Sequence, residues 1–228
     1  MIRAVIFDMY ETLITHYECP LYFSAEMAED AGIPAEKFQE LWRTTARDRT
    51  IGKMSFGEII QRILQENNMY SEERFQAIVD RRIWTKEETF RHLHEEIIPM
   101  LEKLKEKGIL LGLISNCFSE EAEVIKKSIL YPYFNASCLS YEEGLQKPDS
   151  AIFQRCMERL QVQAEECLYV GDGGSGELEA AQKLGMKAVQ ATWYLKAHPI
   201  QMSKRKEDFE QIESPVNLFA LVYCIIDI

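Results

Sequence analysis

The sequence predicts an α/β protein built on a doubly wound parallel sheet, with an all-helical domain inserted after the first strand. Residues 2–8 contain the apolar run Ala4-Val5-Ile6-Phe7, and this short segment is typical of a buried strand. Residues 15–92 contain amphipathic helical segments and no β-branched run. From about residue 93 onward, strand patterns alternate with helix patterns, which favours parallel strands joined by right-handed crossovers. We therefore predict an α/β core of residues 1–14 and 93–228, and a helical cap of residues 15–92.

Turn residues divide the predicted cap into separate helices. Ser55 followed by Glu58 is typical of a capping box at a helix N-terminus. Gly32-Ile33-Pro34 and Gly52-Lys53 interrupt the helical pattern. The predicted helices lie near 21–31, 35–49, 55–67 and 71–83. A helical unit placed over a sheet edge could close a site and exclude water from it.

The second part of the chain predicts a Rossmann-like alternation of helices and strands. A helix at 100–107 ends at Gly108, and Ser214-Pro215 begins the last helix, because proline suits the first helical turn. Strands are predicted at 109–114, 136–139, 167–170 and 187–191. Helices are predicted at 119–129, 149–160, 176–184 and 216–226.

The composition restricts the class of partner. The chain has 228 residues and a formal net charge of -11, which disfavours nucleic acid but permits a small phosphorylated substrate. No apolar run approaches the roughly 18 residues that span a bilayer, and the first strand lacks the flanks of a signal peptide. The six cysteines form no C-x-x-C pair, so we expect reduced thiols. These features predict a soluble, cytoplasmic protein without a membrane partner; the sequence leaves its oligomeric state open.

Two carboxylates follow predicted strands that are far apart in the sequence. Asp8 ends the first strand, and Asp172 follows the strand at 167–170. The carboxyl ends of parallel strands meet at one sheet edge, where ligands bind. Two negative charges 4 Å apart repel by about 4 kcal/mol at an effective dielectric constant near 20. A divalent cation between them would offset this repulsion, so the pair predicts a magnesium-assisted hydrolase with an aspartate nucleophile.

Other polar residues fall at the same predicted edge. Thr12 lies four residues after Asp8, where its hydroxyl could orient the carboxylate. Ser115 and Asn116 follow the strand at 109–114 and could bind an anion. Lys147 precedes Pro148 and a predicted helix, and could supply a fixed positive charge. Glu177, five residues after Asp172 in a glycine-rich turn, could face the same ion through water.

Taken together, these elements resemble the haloacid dehalogenase superfamily of hydrolases, in the subgroup with a helical cap. The resemblance extends over nearly the full length. It implies that Asp8 is the nucleophile, that Lys147 is a stabilising lysine, and that Thr12, Ser115 and Asn116 bind substrate. It also implies that Mg²⁺ is held by Asp8, the backbone carbonyl of Tyr10 and Asp172, with Glu177 as an outer acid.

One position departs from the phosphatases of this superfamily. They usually carry a second aspartate, the general acid and base, two residues after the nucleophile, and Tyr10 stands there in this chain. Tyrosine, with a pKa near 10, is a poor base at neutral pH. The adjacent Glu11 is expected to point away if the strand continues.

Tyrosine at this position resembles the metal-free 2-haloacid dehalogenases. Leu41-Trp42-Arg43 also resembles the segment with that branch's substrate-binding arginine, which makes Arg43 a candidate substrate ligand. That branch, however, has Ser-Ser-Asn at Gly171-Asp172-Gly173 and tyrosine at Phe153. Asp172 and Glu177 would repel an anionic substrate in a metal-free site.

The sequence therefore favours a magnesium-dependent hydrolase of small phosphate esters that uses an aspartyl-phosphate intermediate. Asp8, Tyr10 and Lys147 occupy its predicted catalytic positions. Two alternatives stay open: a metal-free 2-haloacid dehalogenase that uses the same Asp8, and a phosphometabolite-binding module with weak catalysis.

Overall fold

The computed structural model describes residues 1–195, 201 and 203–223 of the chain. Six parallel strands form one sheet in the order β3-β2-β1-β4-β5-β6. This order confirms the predicted doubly wound α/β fold. The short strand β6 was not predicted. The strands are β1 (Ala4–Phe7), β2 (Leu110–Ser115), β3 (Ala136–Leu139), β4 (Cys167–Gly171), β5 (Lys187–Ala191) and β6 (Glu210–Ile212).

Helices cover both faces of the sheet, so strand β1, in the middle of the sheet, is apolar on both sides. All four residues of β1 are buried. Val5 and Phe7 belong to one hydrophobic cluster, whereas Ala4 and Ile6 belong to the other. This pattern is expected of a parallel strand with two covered faces. The helices that follow the cap are α6 (Ile97–Glu106), α7 (Ser119–Lys127), α8 (Ser140–Glu143), α9 (Ser150–Leu160), α10 (Glu177–Lys183) and α11 (Leu218–Tyr223).

Five helices lie between β1 and α6, as the sequence predicts for the insertion. They pack around a hydrophobic cluster of their own, which includes Met27, Phe38 and Ile60. The predicted capping box is present, because Ser55 Oγ accepts the backbone N–H of Glu58 while Glu58 Oε2 accepts that of Ser55. The exact domain boundaries stay a prediction. The helices are α1 (Ser24–Ala31), α2 (Ala35–Thr44), α3 (Ala46–Thr50), α4 (Phe56–Glu66) and α5 (Glu72–Thr89).

The end of the chain differs from the predicted single helix at 216–226. A 3-10 turn at Pro215–Asn217 precedes α11, and residues 224–226 of the predicted helix lie outside the described residues. The five cysteines of the described part of the chain are free. Within that part, no helix combines the length and the apolar character needed to span a membrane.

The direction of chain winding reverses between β1 and β4. The crossovers lead from β1 through β2 to β3, and the chain then returns to β4 on the other side of β1. Phe7 pairs with Val170, so the residues that follow the two strands emerge side by side. A crevice at such a reversal is the usual ligand site of an open α/β sheet.

Candidate active site

Three carboxylates converge at the carboxyl ends of β1 and β4. Asp8, Asp172 and Glu177 each contribute one oxygen to a group in which all separations are within 4.8 Å. All three residues are buried. The structure thus brings together the two acids that the sequence predicts to share an ion, and adds the acid of the glycine-rich turn.

Asp8 is held by hydrogen bonds to one of its two carboxylate oxygens. Lys147 Nζ lies 2.5 Å from Oδ1, and the backbone N–H of Met9 donates to the same oxygen at 2.7 Å. No hydrogen bond from the described residues ends on Oδ2. Burial raises the pKa of Asp8 to about 6, against the opposing effect of Lys147 and together with the repulsion of Glu177.

Asp172 lies in the turn between β4 and α10. Its Oδ1 accepts the backbone N–H of Gly174 at 3.1 Å, and its Oδ2 accepts the hydroxyl of Ser203. Burial, followed by the repulsion of Asp8 and Glu177, raises the pKa of Asp172 to about 7. A site that crowds acids in this way favours a bound cation.

Glu177 folds back over the glycine-rich turn. Its carboxylate accepts the backbone N–H of Gly173 at 2.6 Å and that of Ser175 at 2.8 Å. A Cβ atom at Gly171 would lie 2.9 Å from Glu177 Oε1, so a larger residue here would displace the Glu177 carboxylate. Burial raises the pKa of Glu177, but Lys147 and the hydrogen bonds outweigh this effect, and the net pKa is lowered. Glu177 is thus ionised and fixed behind Asp8 and Asp172.

Asn116 fixes the loop that carries Lys147. Asn116 Oδ1 accepts the backbone N–H of Lys147 at 2.8 Å, and Asn116 Nδ2 donates to the carbonyl of Lys147 at 3.0 Å. Its side chain therefore has a positioning role, although the residue also lines the cavity described below. The sequence predicted Asn116 as a substrate ligand and gave no sign of this link.

The predicted hydroxyl ligands are buried without partners. Ser115 Oγ and Thr12 Oγ1 make no hydrogen bond within the described part of the chain. Thr12 therefore does not orient Asp8 as predicted; its carbonyl instead accepts the indole N–H of Trp193 at 2.8 Å. A buried hydroxyl without a partner is destabilising, so Ser115 and Thr12 have unused hydrogen-bonding capacity, but neither residue lines the cavity described below.

The Tyr10 side chain packs against cap residues. Its ring stacks on His16 with 4.5 Å between centroids, and Lys86 Nζ lies 5.2 Å from its centroid. The phenol oxygen is buried and has no partner among the described residues. Burial, followed by the charge of Glu121, raises the pKa of Tyr10 well above its ordinary value. Tyr10 is therefore neutral at physiological pH and unsuited to act as a base.

Glu11 lines the cavity, and the strand whose continuation would have turned it away ends before it. The strand ends at Phe7, and Glu11 has a left-handed φ of 58°, which turns its side chain toward the cavity. Its carboxylate accepts the hydroxyl of Thr15 at 2.6 Å and the backbone N–H of His16 at 3.0 Å. Burial raises the pKa of Glu11 to about 7. The expectation that Glu11 points away applied only to a continuing strand, and β1 does not extend to this residue.

A cavity of about 590 Å³ opens above these residues. Arg43, predicted to contact substrate, is exposed on α2 and does not line the cavity. Gln39, one helical turn earlier, faces the cavity instead. Gln39 and Arg43 lie four residues apart on the same side of α2, so the cavity reaches Gln39 but ends before the turn that carries Arg43. The structure therefore does not place Arg43 in the cavity as predicted. The lining residues are Asp8, Tyr10, Glu11, His16, Tyr17, Phe23, Ser24, Ala25, Glu26, Gln39, Asn116, Lys147, Asp172, Gly174, Ser175, Gln201 and Ser203.

Two contacts to Asp172 could not be read from the sequence. Ser203 donates to its carboxylate, and Gln190 Nε2 donates to its backbone carbonyl at 2.8 Å. Gln190 also donates to the carbonyl of Lys204 at 2.7 Å, which ties the segment after β5 to the acidic turn. These partners are 18 or more residues from Asp172, and no local pattern marks them.

The chemistry of the site fits Mg²⁺. Its ligands are hard carboxylate oxygens, which Mg²⁺ prefers. Three buried carboxylates face one lysine, and their mutual repulsion contributes to the raised pKa values of Asp8 and Asp172. A divalent cation at this point would offset the excess negative charge.

Comparison with known proteins identifies related enzymes. A family model described as haloacid dehalogenase-like hydrolase matches residues 2–185. A glyceraldehyde 3-phosphate phosphatase from Methanopyrus kandleri is 26% identical over 207 residues, covering 83% of this chain and 84% of the relative. An (S)-2-haloacid dehalogenase from Burkholderia cepacia is 26% identical over 197 residues, covering 83% and 82%. Several other relatives are matched over only about half of their own length.

Solved structures share the fold. A family enzyme from Bacteroides thetaiotaomicron, in complex with magnesium and inorganic phosphate, aligns with a TM-score of 0.65 and 18% identity. The alignment covers 91% of this chain and 98% of that one.

Proposed function

Because this chain belongs to the haloacid dehalogenase-like hydrolases, we propose that it is a magnesium-dependent hydrolase of small phosphate esters that works through an aspartyl-phosphate intermediate. The observation that carries the proposal is the convergence of Asp8, Asp172 and Glu177 beside Lys147. A phosphate dianion can enter a site with three carboxylates only if more positive charge than one lysine is present. A phosphatase that depends on a divalent cation meets this requirement.

In the first step, Asp8 attacks the phosphorus atom of the ester. The free oxygen, Oδ2, forms the new bond, while Oδ1 stays paired with Lys147 and the N–H of Met9. The bond between phosphorus and the ester oxygen breaks, and the leaving alkoxide takes a proton from solvent. Lys147 and the unpartnered hydroxyl of Ser115 are suited to stabilise the negative charge of the phosphoryl group.

In the second step, water attacks the phosphorus of the aspartyl-phosphate. Inorganic phosphate leaves and the Asp8 carboxylate is restored. Asp8, Asp172 and the backbone carbonyl of Tyr10 would hold Mg²⁺, with Glu177 behind them. When bound, the ion would neutralise charge on the phosphoryl oxygens. Tyr10 acts through its backbone and its packing, since its phenol stays protonated.

A metal-free 2-haloacid dehalogenase is the second candidate. Tyr10 and the relative from Burkholderia cepacia favour it. Its substrate carries a carboxylate, which needs a cation in the cap, but Arg43 lies outside the cavity. The carboxylates of Asp172 and Glu177 would also repel that substrate in the absence of a metal. The balance therefore favours the phosphatase.

Parallel assays of phosphate and halide release test the proposal. Wild-type protein is incubated with a panel of phosphate esters and of 2-halo acids, in Mg²⁺ and in chelator. We expect phosphate release that requires Mg²⁺ and is abolished by Asp8→Asn. The exposed Asp80→Asn on α5 is the matched control and should keep full activity. Halide release that survives chelation would support the dehalogenase instead, and Mg²⁺-dependent binding without turnover would support a binding module.

A further inference from the structure

We infer that the leaving group of the substrate is an uncharged or positively charged alcohol, because the cap side of the cavity carries a carboxylate and, among the described residues, no lysine or arginine. This inference rests on the proposed phosphatase function and specifies its substrate class. It follows from the distribution of charge between the two sides of the cavity.

The two sides of the cavity differ in chemistry. The core side carries the groups that would handle the phosphoryl group, which are Asp8, Lys147 and Asp172. The cap side would face the leaving group. His16 and Tyr17 line it from the segment before α1, and Phe23, Ser24, Ala25, Glu26 and Gln39 line it from the start of α1 and from α2.

Residues 15–92 are all described, and none of their lysines or arginines lines the cavity. Arg49 is buried against the ring of Trp42, with its guanidinium carbon 3.6 Å from the centroid. Arg82 and Lys86 are buried in ion pairs with Glu121, at 2.9 and 2.7 Å. Thus no cap cation is placed to pair with an anionic leaving group.

The core side supplies no spare cation either. Among the described lining residues, Lys147 is the only lysine or arginine, and it is paired with Asp8 at 2.5 Å. The phosphoryl group would occupy the remaining capacity of Lys147. A second anion on the substrate would therefore find no positive partner among the described residues.

Glu26 gives the cap side its negative charge. Its Oε2 accepts the backbone N–H of Phe23 at 2.8 Å, which holds the side chain at the rim of the cavity. Glu11 adds a second carboxyl group from the core side. A carboxylate or second phosphate on the leaving group would be repelled here, whereas an ammonium would be attracted. Ser24 and Gln39 can hydrogen-bond hydroxyls, and Phe23 offers an apolar surface.

Three esters of the same length test the inference. They are 2-aminoethyl phosphate, 2-hydroxyethyl phosphate and phosphoglycolate, which end in an ammonium, a hydroxyl and a carboxylate. With Mg²⁺ present, we expect kcat/KM for phosphoglycolate to be at least about tenfold below that of the other two. Glu26→Lys should reverse this disadvantage. Glu26→Gln should reduce it, since its amide oxygen can still accept the Phe23 N–H.

Glu29→Lys is the matched control, because it makes the same charge change at an exposed position of α1 outside the cavity lining. It should leave the order of the three esters unchanged. Calorimetric binding of the three esters to the Asp8→Asn protein gives the same order independently of turnover. Equal or better use and binding of phosphoglycolate would overturn the inference while leaving the proposed function intact. Absence of phosphate release from every ester would overturn the proposed function instead, and the binding order would still be measurable.

Discussion

Asn116 holds the backbone of Lys147 through both ends of its side-chain amide. The carboxamide oxygen accepts the Lys147 N–H at 2.8 Å, and the nitrogen donates to the Lys147 carbonyl at 3.0 Å. Lys147 in turn places its ammonium 2.5 Å from Asp8. An amide that follows β2 therefore fixes the loop before α9, and with it the cation of the candidate site.

Asn116→Ala should lower kcat by about tenfold to a hundredfold, because Lys147 would lose its fixed position. The loss of two hydrogen bonds should also lower the free energy of unfolding by about 1–3 kcal/mol. Asn135→Ala is the control, since Asn135 accepts the N–H of Leu111 at the opposite end of β2. It should lower stability and leave kcat nearly unchanged. Equal effects of the two variants on kcat would contradict the positioning role.

Glu121→Gln should strongly destabilise the protein. Glu121 Oε1 lies 2.9 Å from Arg82 and 2.7 Å from Lys86 in an almost fully buried cluster that joins α5 to α7. Removing its charge leaves the buried side chains of Arg82 and Lys86 without a full negative partner. We therefore expect the free energy of unfolding, measured in urea, to fall by about 3–5 kcal/mol. Glu66→Gln breaks the exposed pair with Arg62 and should cost less than about 0.5 kcal/mol. Similar losses in both variants would rule out a special role for the cluster.

Stability should depend on pH and Mg²⁺ together. The pKa values of Asp8 and Asp172 are raised from 3.8 to about 6 and about 7. The folded state therefore keeps protons that the unfolded state releases. The resulting stabilisation is complete below about pH 4 and is lost as the pH rises through 6 and 7. In chelator, these two groups should make the protein less stable at about pH 8 than at about pH 5.

Mg²⁺ should reverse this loss, because it binds the ionised carboxylates and competes with protons. Urea unfolding midpoints in Mg²⁺ and in chelator measure the effect, which should be large at about pH 8 and small at about pH 5. Asp172→Asn should abolish most of this Mg²⁺ effect on the unfolding midpoint. A Mg²⁺ effect of equal size at both pH values would contradict ligation by these groups.

The features that could be predicted from the sequence are those that residues close together in the chain determine. The apolar run before Asp8, the glycines around Asp172 and the alternation of strands and helices each follow from nearby residues, and the fold places Asp8 beside Asp172 as expected. Strand β6 was missed because its three residues, Glu210–Ile212, carry no long apolar pattern.

The missed features of the site depend on backbone turns or distant contacts. Glu11 faces the cavity because one residue adopts a left-handed φ, which glutamate rarely does. Gln39 lines the cavity and Arg43 does not, although both lie on the same side of α2, because the cavity ends before the turn that carries Arg43. Ser203 reaches Asp172 from 31 residues away, so only the folded chain brings the two together.

The central claim is that Asp8 becomes phosphorylated during turnover. Rapid acid quench of the enzyme with a hydrolysed ester and Mg²⁺, followed by peptide mass spectrometry, measures this directly. We predict a phosphoryl group on Asp8 that is absent in chelator and absent in the Asp8→Asn protein. Phosphate release that continues in the Asp8→Asn protein, or a phosphoryl group on another residue during turnover, would contradict it.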